Sequence, residues 1–154
     1  MNRHPGGTEN TLRLIEMAGI SPPGKILDMG SGEGETVELL KSLGFQALGI
    51  DKKNGGDFLN LPFEEGSFDA VISECAFYVS GNQKRAVEEA LRVLKPGGVL
   101  MLADLFFEEI PFVPEKKLDI TAEWREYWLE KLWTEDDVCY VPGSPKYYLL
   151  TVRK

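Results

Sequence analysis

Histidine is almost missing: His4 is the only one in 154 residues, and the two cysteines are Cys75 and Cys139. One histidine and no CxxC spacing leave none of the ligand sets of a structural zinc site, so no metal is expected. Two distant cysteines do not make a disulfide framework, and a reducing, cytoplasmic setting is expected. No run approaches about 18 uninterrupted apolar residues, so no membrane span is expected. The opening MNRHPGG lacks the apolar core of a signal peptide. Basic residues are in deficit, 17 Lys and Arg against 25 Asp and Glu, a net charge of −8. That balance argues against phosphate-backbone binding, and no nucleic-acid partner is expected.

What is present is an ordinary globular composition, 43% hydrophobic and 27% charged, enough for one core. With no repeat and no linker, a single domain over residues 1–154 is expected. Periodicity alternates between helical and strand-like. Thr8 to Ala18 reads as a helix with Thr8 as N-cap and Gly19 as its stop. KILDM (Lys25 to Met29) reads as a strand, Glu35 to Leu43 as a helix, and QALGI (Gln46 to Ile50) as a second strand. Lys52 to Leu61 is loop-like. FDAVIS (Phe68 to Ser73) is a strand, Asn82 to Lys95 an amphipathic helix, and VLMLA (Val99 to Ala103) a strand. Thr121 to Leu132 is expected to be helical, with Trp124, Trp128 and Trp133 near helical spacing. Val138 to Val141 and Tyr147 to Val152 read as a hairpin across PGSPK. Strand–helix–strand repeated twice predicts an α/β fold: a Rossmann-like, doubly wound, mostly parallel sheet with an antiparallel C-terminal hairpin. In such a sheet the loops after Met29, Ile50, Ser73 and Ala103 line the site.

The informative loop is DMGSGEGE (Asp28 to Glu35), between a strand and a helix. Its alternating glycines let a ligand approach the backbone. Asp51 ends the next strand, where a carboxylate accepts from ribose hydroxyls in dinucleotide-type folds. Glu33 and Glu35 argue against a pyrophosphate there. Two like charges at 4 Å repel by about 4 kcal/mol at an effective dielectric of 20. NAD, FAD and ATP are therefore disfavoured, and no GxxxxGK[ST] loop is present. S-adenosylmethionine (SAM) carries no phosphate but a sulfonium and an α-ammonium, and suits an acidic loop.

ILDMGSGEG (Ile26 to Gly34) resembles the first motif of class I SAM-dependent methyltransferases, and GID (Gly49 to Asp51) their second-strand acid. GDFLNLPFEEGSFDAVIS (Gly56 to Ser73), ALRVLKPGGVLMLAD (Ala90 to Asp104) and YYLLTVRK (Tyr147 to Lys154) resemble their later segments, in order. The subgroup resembled is type 11, whose members methylate small molecules. The chain is short for it: Lys52 to Gly56 stands where the family has a helix and a third strand.

The resemblance implies SAM as cofactor. Gly30, Ser31, Gly32 and Gly34 would pass its methionine part, and Asp28 would hold the loop or accept from the ammonium. Asp51 would accept from the ribose, Lys52 would lie along the adenine edge, Asp57 would accept from the adenine amino group, and Phe58 would sit against the ring. Ser73 and Glu74 would face the reacting methyl. The expected reaction is SN2 displacement onto a small-molecule acceptor, with Glu74, then Asp104 and Tyr78, as candidate bases. The alternatives are a non-catalytic SAM or S-adenosylhomocysteine (SAH) sensor or partner subunit and, less favoured, an NAD-dependent oxidoreductase. Oligomeric state is not legible. Asp57 reads equally well as a turn residue, Cys75 as a small buried hydrophobe, and the tryptophans as core.

Overall fold

The computed structural model describes residues 6–106, 119–126 and 146–154. Its elements in chain order are α1 (Gly7–Ala18), β1 (Lys25–Met29), α2 (Glu35–Ser42), β2 (Gln46–Ile50), β3 (Phe68–Glu74), α3 (Gln83–Val93), β4 (Leu94–Phe106), β5 (Asp119–Glu126) and β6 (Lys146–Arg153). The strands form one sheet in the order β2-β1-β3-β4-β6-β5. β2, β1, β3 and β4 are parallel, and β6 is antiparallel to both β4 and β5.

Successive strand residues point to opposite faces, and the central strands β1, β3 and β4 bury apolar residues on both, as in a sheet with helices on each face. Ile26, Ala70, Ile72, Val99 and Met101 meet Leu14 and Ala18 of α1 and Leu40 of α2. Leu27, Val71, Leu100 and Leu102 meet Val87, Ala90 and Val93 of α3. Tyr147 and Tyr148, adjacent in β6, are both fully buried but belong to opposite faces. No helix among the described residues is long and apolar enough to cross a membrane.

The structure corrects three local readings. The N-cap of α1 is Gly6, in the left-handed region and with no side-chain cap, instead of Thr8. α3 stops at Val93, and β4 begins at Leu94; Leu94 pairs with Phe68 and Val99 with Ala70, so Lys95 to Gly98 bulge from the ladder. Thr121 to Glu126 is not helical but part of β5, paired with β6 from Thr121↔Thr151 to Glu126↔Lys146. Ile120, Ala122 and Trp124 alternate at the strand period, and pairing along a buried β6 outweighs helix propensity. β6 has β4 on one side and β5 on the other, both antiparallel to it. Val138 to Val141, with His4, Trp128, Trp133 and Cys139, lie outside the described residues.

Only β1 pairs with β2 among the described residues, so the sheet ends there. Leu48 shares a register with Leu27 but is 44% exposed. No described helix covers that corner, and a 3-10 turn, Lys52–Asn54, follows β2 directly.

Candidate functional site

From β1 the chain goes outward to β2 on one side, and β3 lies on the other. This reversal opens a crevice at the carboxyl ends of β1 and β3. The loop after β1 fills one wall. Gly30 and Ser31 both donate their N–H to the Ile50 carbonyl, at 2.8 and 3.1 Å, and Gly34 N donates to Ser31 O at 2.8 Å. Gly32 N donates to Asp51 Oδ2 at 3.0 Å. Asp51 Oδ1 accepts from Lys53 N at 2.9 Å, while Asp51 N donates to Asn54 Oδ1 at 3.0 Å. The acid ending β2 thus pins the glycine loop and caps the short 3-10 turn Lys52–Asn54. Gly30 and Gly32 have φ of +87° and +52°. A Cβ on Gly30 would lie 2.4 Å from the Ala76 Cβ, whereas one on Gly32 would meet nothing within 4 Å. Gly30 is glycine for packing; Gly32 faces open space.

Three carboxyls converge on this mouth. Glu74, at the end of β3, is held on both sides: Oε2 accepts from the Thr11 hydroxyl of α1 at 2.7 Å, and Oε1 from the Thr36 hydroxyl of α2 at 2.8 Å. Asp28 is 3% exposed. No hydrogen-bond donor among the described residues reaches its carboxyl. Burial, then the charges of Glu74 and Asp51, push the Asp28 carboxyl well above the usual carboxylate range. A buried acid beside two others and without a donor is the arrangement that a cation relieves.

The remaining predicted residues divide. Ser73 is fully buried, and its hydroxyl donates to Met29 O at 2.7 Å, bracing β3 against β1. Asp104 is buried within β4, opposite Tyr148, and its Oδ2 accepts from Tyr78 N at 2.9 Å, bringing the two together. Cys75 is buried at φ +55°, a strained backbone immediately after Glu74, and its thiol donates to Tyr147 Oη at 3.7 Å. Lys52 is exposed, and Asp57 is exposed and accepts from Leu59 N at 2.9 Å within its own turn. Phe58 lies against Phe77, ring centroids 5.7 Å apart, and beside Gly30.

Sequence reasoning missed three residues. Thr11 and Thr36 carried no signal, because a threonine on an exposed or a functional face reads alike. Glu89 did carry one, an acid next to the apolar stripe of α3. It is 2% exposed and accepts from Leu61 N at 2.7 Å and from Arg92 Nε at 2.9 Å. Arg92 donates on to the carbonyls of Phe63 and Leu61, and Arg85 to that of Leu59. This clamp fastens the loop bearing Phe58 to α3. Among the described residues no group of three His, Cys, Asp or Glu is arranged to hold a metal.

A family model described as "Methyltransferase domain" matches residues 27–102. The chain is 31% identical over 116 residues to a demethylmenaquinone methyltransferase of Renibacterium salmoninarum, covering 64% of this chain and 49% of that protein. It is 30% identical over 115 residues to a glycine/sarcosine/dimethylglycine N-methyltransferase of Actinopolyspora halophila, covering 60% and 20%. The chain thus spans about half the length or less of these two curated relatives. Its fold is shared with the Burkholderia thailandensis 1,6-didemethyltoxoflavin-N1-methyltransferase, solved with SAH bound, at a TM-score of 0.63 and 14% identity over 94% of this chain and 76% of that one.

Proposed function

The chain belongs to the class I SAM-dependent methyltransferase family, and from that premise we propose that it transfers the methyl group of SAM to a small-molecule acceptor. The observation that carries this reading is the buried Asp28 carboxyl, flanked by Asp51 and Glu74 and reached by no donor among the described residues. SAM brings a sulfonium and an ammonium and no phosphate to that mouth, so the residues present fit it, whereas a pyrophosphate would meet Glu33 and Glu35 at the start of α2. The relatives named above act on small molecules, a quinone precursor and amino acids by their names, which supports an acceptor of that class.

When bound, the sulfonium supplies an electrophilic methyl and leaves as a neutral thioether. The protein's part is alignment. Gly32 and Gly34 leave the loop backbone open to the ligand. Asp51 uses one lone pair of each oxygen on Gly32 N and Lys53 N, and a carboxylate has further acceptor sites for ribose hydroxyls. Glu74 is fixed by two hydroxyls from two helices at the end of β3, which faces the acceptor side. It is the first candidate to take a proton if the acceptor must lose one, with Asp104 and Tyr78 next.

Calorimetric titration is expected to show heat with SAM and SAH and none with NAD. Asp51→Ala is expected to weaken SAM by at least tenfold; an unchanged affinity would remove Asp51 from the site. Transfer of a labelled methyl to a panel of amines, phenols and quinols tests the reaction. Glu74→Gln is expected to slow it by about 10²-fold if Glu74 is the base, and unaltered turnover would exclude that role. Binding without transfer to any acceptor would favour the sensor reading.

A further inference from the structure

We propose that Asp28 is uncharged in the unliganded protein and gives up its proton when the cationic end of the nucleoside enters, so that each ligand bound releases up to one proton to solvent. This rests on the proposed function, since it takes a cation as the occupant. The argument is the unequal treatment of three neighbouring acids. Glu74 receives a hydroxyl on each oxygen, and Asp51 a backbone N–H on each. Asp28 receives none among the described residues and is the most deeply buried of the three. A carboxylate in that position would have little water and, among the described residues, no donor to stabilise it.

The groups acting on Asp28 all oppose its charge. Asp51 stands beyond β2 and Glu74 at the end of β3, while α1 and α2, which cover this face, turn the uncharged Thr11 and Thr36 toward Glu74. Lys52 and Lys53 are exposed, and Lys53 is paired with Glu33 at 2.9 Å. Among the described residues no cation acts on Asp28, and burial followed by its two acidic neighbours holds its carboxyl well above the usual range. The step balances simply. The carboxyl O–H bond breaks, the proton leaves to solvent, and the remaining anion faces the incoming positive charge.

The test is titration of the full chain with SAM, and separately SAH, in phosphate and in Tris, buffers of different ionisation heat, between pH 5.5 and 8.5. The expected result is a binding heat that differs between buffers by the equivalent of up to one released proton. Below the titration of Asp28 the apparent affinity is expected to rise tenfold per pH unit. Release with both nucleosides assigns the α-ammonium as the trigger, and release with SAM alone assigns the sulfonium. Equal heats in both buffers at every pH, with binding intact, would overturn the proposal and leave the cofactor reading standing. No heat with either nucleoside would overturn both. Asp28→Asn supplies a readout that needs no ligand: its thermal midpoint should exceed that of the parent, by more at pH 8 than at pH 5.5. A gain independent of pH would also overturn the proposal.

Discussion

Gly30→Ala is expected to unfold well below the parent and Gly32→Ala only slightly below it, while Gly32→Ala loses SAM affinity by tenfold or more. Both glycines sit at positive φ, which costs an alanine about 1–2 kcal/mol. The difference is space. The new Cβ at position 30 would lie 2.4 Å from the Cβ of Ala76, itself buried at the end of β3. Making room adds an overpacking cost of about 1–3 kcal/mol. For a domain of this size each kcal/mol moves the midpoint by about 2–4 °C. A drop of about 4–20 °C for Gly30→Ala, and about 2–8 °C for Gly32→Ala, is therefore expected. At position 32 the Cβ meets no protein atom, so its effect falls on whatever approaches the loop from outside. Thermal scans and SAM titrations on both variants read this directly. Equal midpoints would mean that the loop is not wedged against Ala76.

The second large effect belongs to the clamp on α3. Glu89→Ala is expected to cost about 3 kcal/mol, because it strands Arg92 and the Leu61 N–H after removing their buried partner. Glu89→Gln keeps the shape and part of the hydrogen bonding and should cost less. The pH dependence has a definite sign. The Arg92 hydrogen bonds hold the Glu89 carboxyl below its usual value against the opposing pull of burial. A depressed carboxyl contributes stability that is present above its unfolded value, about 4.3, and lost as the pH falls through its lower folded value. Denaturant unfolding at pH 7 and at pH 3 should therefore show the gap between parent and Glu89→Ala narrowing in acid. A gap of constant size would place the cost in packing and not in the ion pair. Asp28 contributes with the opposite sign: a raised carboxyl makes the folded state lose stability as pH climbs above the unfolded value.

The parallel core and the glycine loop were readable because their signals are local. KILDM, QALGI and FDAVIS are short apolar runs ending where the loops begin, and Asp51 follows the second run directly. All three strands lie where the runs predict. The helix expected from Thr121 is replaced by strand over Thr121 to Glu126, because the alternation of Ile120, Ala122 and Trp124 also suits a strand, and β6, distant in sequence, decided the matter. The partners of Glu74 are 63 and 38 residues away, and Leu61 and Glu89 are 28 apart. No period in the sequence encodes such meetings, which depend on how α1, α2 and α3 settle on the sheet. Ser73 shows the same limit within one strand. Its position at the crevice follows from FDAVIS, but the choice of its hydroxyl to bond Met29 O depends on the spacing of β1 and β3.

The termination of the sheet at β2 has a consequence for how the molecule breathes. β1 and β3 each have a hydrogen-bonded strand on both sides, while β2 has β1 alone among the described residues and a solvent-facing leucine at its centre. Amide protons should then exchange with deuterium in a graded order, fastest in Leu48 and its neighbours and slowest in Leu27 and Val71. The ribose-side acid would sit on the least protected rung of that ladder.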